Sequence, residues 1–205
     1  MKKEQYPSAR HVLPDSVCVE IGTWDGDFSY DILKYSQLKK LYCVDPYKHF
    51  ENGEYPDSMN DRTQKEWDQK FAQVQNRFKP FGDKVEFMRM TSVEAASHFK
   101  DSSLDFVYID GNHDYKAVLQ DILTWYPKMK NSAMLCGDDI ISTDLSEHGP
   151  DRNVSRVWKS GQGGKYGTYT ALLDAQKLLG FQFILDGTQY AIQKSKSSLA
   201  DALNQ

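Results

Sequence analysis

The stretch VEIGTWDGDFS, Val19–Ser29, passes from an apolar run through a glycine-flanked turn into a helical pattern. Gly22 and Gly26 permit a turn that brings the backbone close to a ligand, and Asp27 or Ser29 can cap the helix that follows. A glycine-rich strand-to-helix turn is common and also serves purely structural ends, so its meaning depends on its surroundings. Outward from it, VCVEI (Val17–Ile21), LYCVD (Leu41–Asp45), KVEFMRM (Lys84–Met90), LDFVYID (Leu104–Asp110) and AMLCGDD (Ala133–Asp139) read as strands. Helical patterns lie between them: DFSYDILKYS, DRTQKEWDQKFAQVQNRF, SVEAASHF and YKAVLQDILTWYPKMK. In the last, Val118, Leu119, Ile122, Trp125 and Tyr126 share one face, and Pro127 belongs at or just past the end. Such alternation predicts βαβ units and a parallel sheet with helices on both faces.

The C-terminal pattern differs. GTYTALLDAQKLLG reads as a helix stopped by Gly180, and FQFILD and QYAIQK are joined by a hairpin-like GT after Asp186. An antiparallel pair therefore finishes an otherwise parallel sheet. Two long polar connections, Pro46 to about Asn60 and Ser142 to about Gly167, are where binding surfaces are expected.

The chain has 205 residues, 40% hydrophobic and 26% charged, with a formal net charge of −4. These values fit an ordinary globular chain and argue against a general nucleic-acid or membrane-surface binder. Cys18, Cys43 and Cys136 each sit in an apolar run without metal-ligand spacing, which predicts buried reduced thiols. With no apolar leader and no membrane-length apolar run, the expected location is cytoplasmic.

Asp45, at the end of the second strand, can accept both hydroxyls of a ribose across the turn. A dinucleotide loop would read GxGxxG, but Trp24 stands where the second glycine belongs and would obstruct a pyrophosphate. Glu20 adds negative charge where phosphate would sit. A cationic, phosphate-free nucleoside such as S-adenosylmethionine suits this loop better.

The ordered set VEIGTWDGDFS, LYCVDPY, TSVEAASHF, LDFVYIDGNHDY and AMLCGDDI resembles the class I S-adenosylmethionine-dependent methyltransferases. Within them it is most similar to the group containing metal-dependent macrolide-sugar O-methyltransferases. The resemblance implies one domain over residues 1–205, with 1–15 as an N-terminal extension. Its fold would be α/β, Rossmann-like and doubly wound, with a mostly parallel seven-stranded sheet and an antiparallel C-terminal hairpin strand. It places the methyl donor on Glu20, Gly22, Thr23, Trp24, Asp25, Gly26, Ser29, Asp45, Thr91, Ser92 and Asp110. Thr91 departs from the glycine many relatives carry; Ser92 is equally well read as a plain helix cap.

Asp110 closes one strand and Asp138 and Asp139 close the next, so a parallel sheet delivers all three to one rim. Converging carboxylates repel unless a cation intervenes, and hard oxygen ligands suit Mg²⁺ or Mn²⁺. The bland alternative has Asp138 and Asp139 capping a turn. In GNHD, a metallophosphoesterase reading fails for want of an H-x-H pair elsewhere. His113 carries two readings, a helix-cap or supporting histidine, and the general base that the resemblance implies. Asp114 reads as a cap. Trp24, Tyr47, His49, Trp67, Tyr115, Trp158 and Tyr166 lie near the loops or strand tips, as stacking or packing residues.

The expected function is therefore O-methylation of a hydroxyl on a sugar or glycan, with S-adenosylmethionine and a divalent metal. The acceptor is a small molecule or glycan; no nucleic acid or membrane is expected, and a homo-oligomer is compatible with all of this. Its rivals are a catechol or phenol acceptor, an NAD(P)-linked oxidoreductase, and a non-catalytic nucleoside-binding protein.

Overall fold

The computed structural model describes residues 6–51, 62–157 and 163–195. Its main sheet has seven strands: β1 (Val17–Ile21), β2 (Lys40–Val44), β3 (Val85–Met88), β4 (Leu104–Ile109), β5 (Met129–Gly137), β8 (Phe183–Asp186) and β9 (Gln189–Gln193). Their spatial order is β3-β2-β1-β4-β5-β9-β8. The first five strands are mutually parallel, and β9 runs antiparallel to both β5 and β8. The expected α/β sheet with a terminal hairpin is therefore observed.

The strands are buried on both sides, as parallel sheets require. Along β1 and β4, Cys18, Phe106 and Tyr108 face one core, while Val19, Ile21, Val107 and Ile109 face the other. The first core is covered by α1 (Asp27–Tyr35), α2 (Gln64–Phe78) and the 3-10 turn Pro7–His11. The second is covered by α3 (Ser92–Ala96), α4 (Tyr115–Trp125) and α5 (Thr168–Leu179). Cys18, Cys43 and Cys136 are buried and free. Among the described residues no helix is long and apolar enough to cross a membrane.

Local chemistry sets the helix boundaries. Thr63 and Thr91 each head a reciprocal capping box, with Glu66 and Glu94 respectively. Thr91, not Ser92, is thus the cap of α3. Neither Asp27 nor Ser29 caps α1, which begins after Gly26 in the left-handed conformation. Asp114 caps α4, Pro127 falls just past its end, and left-handed Gly180 stops α5. The sequence reading missed a second, two-stranded sheet inside the long polar connection, formed by β6 (Val154–Val157) and β7 (Gly163–Tyr166).

Candidate active site

The strand order reverses between β1 and β4, and their C-terminal ends open a crevice there. It is a cavity of about 780 Å³ whose walls include Glu20, Gly22–Gly26, Asp45, Thr91–Val93, Asp110–His113, Asp121, Asp138 and Asp139. Gly22 is indispensable to its shape. It has φ +85°, and a Cβ there would lie 2.0 Å from the Asp110 carbonyl oxygen.

Asp45 joins the loops that follow β1 and β2. Its Oδ2 accepts the Trp24 backbone N–H at 2.9 Å and its Oδ1 accepts that of Tyr47 at 2.8 Å. The Tyr47 hydroxyl donates back to the Trp24 carbonyl at 2.8 Å. Burial pushes the Asp45 carboxyl up, against the two amides and the Arg89 charge. Asp25 pairs with Lys70 at 2.6 Å, and the same ammonium stands 5.6 Å from the Trp24 ring centroid.

Glu20 is almost fully buried, and the Ser29 hydroxyl donates to it. Burial raises its carboxyl to about 8, against the Ser29 bond. The fixed negative charge expected at Glu20 is thus absent from the ligand-free protein at neutral pH. Ser29 acts on Glu20 rather than on the helix start.

On the β3 side, Ser92 donates to Asp121 Oδ1 at 2.5 Å and accepts the Trp125 indole N–H at 2.8 Å. Sequence reasoning missed Asp121. Its signal was present, for Asp121 interrupts the buried stripe Val118, Ile122, Trp125.

At the β4 and β5 tips the structure brings together Asp110, His113 and Asp139, with one ligand atom from each within 4.8 Å of the others. His113 Nε2 lies 2.8 Å from Asp139 Oδ2 and 3.9 Å from Asp110 Oδ1. Burial, then the charge of Asp139, holds the Asp110 carboxyl well above the ordinary carboxylate range. Asp138 lines the cavity but stands outside this trio. Its Oδ1 accepts the Asp139 backbone N–H at 2.8 Å, and its Oδ2 accepts Gln189 Nε2 at 3.0 Å. Gln189 also donates to the Tyr108 hydroxyl at 2.7 Å and accepts the Ser8 N–H at 2.9 Å. Asp139 itself has φ +67°, which turns it away from its neighbour.

The β6–β7 unit braces the histidine loop. Tyr166 stacks on the His113 ring, centroids 5.1 Å apart, and the Gly167 N–H donates to the His113 carbonyl at 2.8 Å. Asn153 accepts the Tyr115 N–H at 2.8 Å and donates to Asp114 at 3.0 Å. Of the other aromatics, Tyr47 and Trp67 are core residues and Tyr115 donates to Asp174. The His49 N–H donates to Gln64 and Trp24 is 41% exposed on the cavity wall; Trp158 lies outside the described residues.

The family model described as Methyltransferase domain matches residues 19–140, from β1 to just past the acid pair. The chain belongs to this methyltransferase-domain family. The chain is 36% identical over 62 residues to an uncharacterized protein, y4gI, of Sinorhizobium fredii. That match takes in 30% of this chain and only 6% of the relative. Among solved structures, a SAM-dependent methyltransferase from Methanosarcina mazei aligns with TM-score 0.60 and 14% identity, over 92% of this chain and 96% of that one. The Burkholderia thailandensis 1,6-didemethyltoxoflavin-N1-methyltransferase, with bound 1,6-didemethyltoxoflavin and S-adenosylhomocysteine, aligns with TM-score 0.56. Its identity is 10%, over 93% of this chain and 77% of that one. A putative Streptococcus mutans methyltransferase in complex with SAH gives TM-score 0.53 and 10% identity, over 91% and 93%. At these identities the structural likeness establishes the fold. The chemistry of this chain must be argued from its own cavity.

Proposed function

We propose that the protein is an S-adenosylmethionine-dependent, divalent-cation-dependent O-methyltransferase acting on a hydroxyl of a sugar or glycan. The observation carrying this reading is one cavity that has Asp45 in one part of its wall and Asp110, His113 and Asp139 in another. A nucleoside end and a cation end thus share one edge of the sheet.

The donor's fit is electrostatic. The lining holds eight carboxyl side chains (Glu20, Asp25, Asp27, Asp45, Asp110, Asp121, Asp138, Asp139) against one lysine, Lys48. Glu20 carries its proton and Asp25 and Asp27 are paired with Lys70 and Arg77, so Asp45 and the acids of the strand tips and α4 are the ones that favour a cation and oppose phosphate. Two fold relatives hold S-adenosylhomocysteine, the demethylated form of such a donor. When bound, S-adenosylmethionine supplies an electrophilic methyl carbon on a sulfonium. Asp45 keeps acceptor capacity for the ribose hydroxyls beyond its two amide bonds, since each carboxylate oxygen offers two lone pairs.

The acid cluster suits a hard divalent cation, because two carboxylates and an imidazole crowd one point and Asp110 is proton-prone without a cation. Such a cation supplies Lewis acidity toward an acceptor hydroxyl. Asp110 and Asp139 would hold it, with Asp138 accepting the Asp139 backbone N–H behind them. His113, its ring plane set by Tyr166, accepts the hydroxyl proton; its near-neutral ordinary pKa suits that task. A second reading makes His113 a third ligand, favoured by its 2.8 Å approach to Asp139. Measuring cation affinity of His113→Ala separates them: the base role leaves affinity in place, the ligand role lowers it. The sugar acceptor is supported by resemblance to the macrolide-sugar group, and vicinal hydroxyls are what the cation would chelate.

Calorimetry with S-adenosylhomocysteine, with and without Mg²⁺ or Mn²⁺, followed by a methyl-acceptor screen over sugars and catechols, tests the whole. S-adenosylhomocysteine should bind metal-free protein, whereas turnover should vanish on chelation and in Asp139→Asn. Asp138→Asn, acting through the orientation of Asp139, should cost about tenfold in cation affinity. Turnover in metal-free protein would overturn the cation's role, and catechol preference the sugar's.

A further inference from the structure

Behind the acid cluster one buried amide, Gln189 at the start of β9, touches three distant parts of the chain. Its Oε1 accepts the Ser8 backbone N–H at 2.9 Å. Its Nε2 donates to the Tyr108 hydroxyl at 2.7 Å and to Asp138 Oδ2 at 3.0 Å. The partners fix the orientation of the amide. A backbone N–H can only donate, so it takes the amide oxygen and turns both Nε2 protons toward Tyr108 and Asp138. A flipped amide would set a lone pair against the Asp138 carboxylate and a donor against the Ser8 donor, and leaving such groups buried and unpaired is costly. Asp138 in turn accepts the Asp139 N–H through Oδ1. The Asp139 carboxylate, beside Asp110 and His113, thus stands at the end of a continuous polar chain that starts at Ser8.

The same N-terminal turn reaches the cavity by an aromatic route. Tyr6, directly before the 3-10 turn Pro7–His11, lines the cavity together with Phe28 and Thr188, the chain neighbour of Gln189. The Tyr6 ring meets Phe28 edge-on at 5.5 Å, and Phe28 stacks at 3.8 Å on Tyr108, whose hydroxyl Gln189 engages. A surface tie, Arg10 to Asp186 at 2.8 Å, is about half-exposed at both ends and contributes little. Ala9 and Val12 anchor the turn in the core, and the buried Ser8–Gln189 bond sets its register against β9.

We propose that Gln189 is a positioning residue for the cation seat and couples it to the N-terminal turn, so that loading the seat and docking the turn favour each other. This rests on the cation reading of Asp110 and Asp139, and it adds residues that do not themselves touch the cation. An occupied seat needs the Asp139 carboxylate in one orientation. Asp138 holds that orientation, and Gln189 holds Asp138 while Ser8 occupies the amide oxygen. Coupling of this kind is reciprocal: the factor that the docked turn adds to cation affinity is the factor that the cation adds to docking of the turn.

Hydrogen exchange of the Ser8 amide in wild-type protein, with and without saturating Mg²⁺, tests this without any variant. Mg²⁺ should slow that exchange by about tenfold, the scale on which supporting contacts tune a metal site. The Gly180 amide, bonded to the Gln176 carbonyl at the C-terminal end of α5, should not respond. Gln189→Met keeps the length of the side chain and removes all three bonds. Calorimetry on it should show Mg²⁺ binding about tenfold weaker, with S-adenosylhomocysteine binding to metal-free protein as in wild type. Mg²⁺ should also no longer slow Ser8 exchange in this variant. The unchanged S-adenosylhomocysteine affinity separates positioning from a general loosening of the fold, which would lower both affinities. If the variant does not fold, the wild-type exchange ratio decides alone. Suppose wild type binds Mg²⁺ and Asp139→Asn does not, yet Ser8 exchange ignores the cation or Gln189→Met binds it equally well. The coupling is then overturned and the cation reading stands. Failure of wild type to bind Mg²⁺ overturns both.

Discussion

Glu20 and the Asp138–Asp139 pair separate what a residue's identity reveals from what its surroundings decide. The alternation of β1 fixes which side of the sheet Glu20 faces, but the charge state follows from burial, which raises its carboxyl to about 8. An acid whose folded pKa is raised favours the fold fully below its unfolded pKa, near 4.5. That contribution is lost progressively as pH rises toward about 8, because only the unfolded chain gives up the proton. Metal-free wild type should therefore lose stability relative to Glu20→Gln across that window, by at most about 1.4 kcal/mol per pH unit for one proton. Urea midpoints of both proteins at pH 5 and pH 8 measure it; parallel curves would mean Glu20 is ionised when folded. Similarly, two adjacent aspartates at a strand end are readable as a rim feature. Which one faces the cluster is not readable, because that depends on the left-handed turn at Asp139 and on Gln189, distant in sequence, engaging Asp138.

At the level of elements, the strands of the parallel core were legible because each is an unbroken apolar run between turn signals. The β6–β7 unit was not. VSRV is short and half polar, and its partner GGKY has two glycines, so neither carries a strand's side-chain pattern. Its existence is decided by docking, through Asn153 and Gly167, onto the loop that carries His113. Gly167 is there for space: a Cβ would fall 2.4 Å from Tyr115 Cβ and 2.5 Å from Asn153 Oδ1. Gly167→Ala should push the unit off the start of α4 and destabilise the protein by about 1–3 kcal/mol. Because the Gly167 N–H holds the His113 carbonyl, kcat measured on fully folded variant should fall as well. A wild-type urea midpoint together with wild-type kcat would show that the brace is dispensable.

Across the whole molecule, the chain's charge is modest, 25 basic against 29 acidic residues, yet its acids are concentrated where the strand order reverses. Composition averages over the surface and could not reveal this; the topology gathers strand-end acids that lie far apart in sequence. The reversal also explains why the glycine loop, Asp45 and the rim acids, scattered from Glu20 to Asp139, line one cavity. Such a wall discriminates between nucleosides by charge before any specific contact forms. A pyrophosphate brought among these carboxylates would meet repulsion with Lys48 as the one lysine in the lining to offset it. S-adenosylhomocysteine at a hundred times its Kd should therefore raise the melting temperature by about 5 °C or more. NADH or ATP at equal concentration, without added metal, should leave it in place. A shift with NADH and none with S-adenosylhomocysteine would mean that the acids serve a cation carried by a phosphate ligand, and the charge argument for the donor would be wrong.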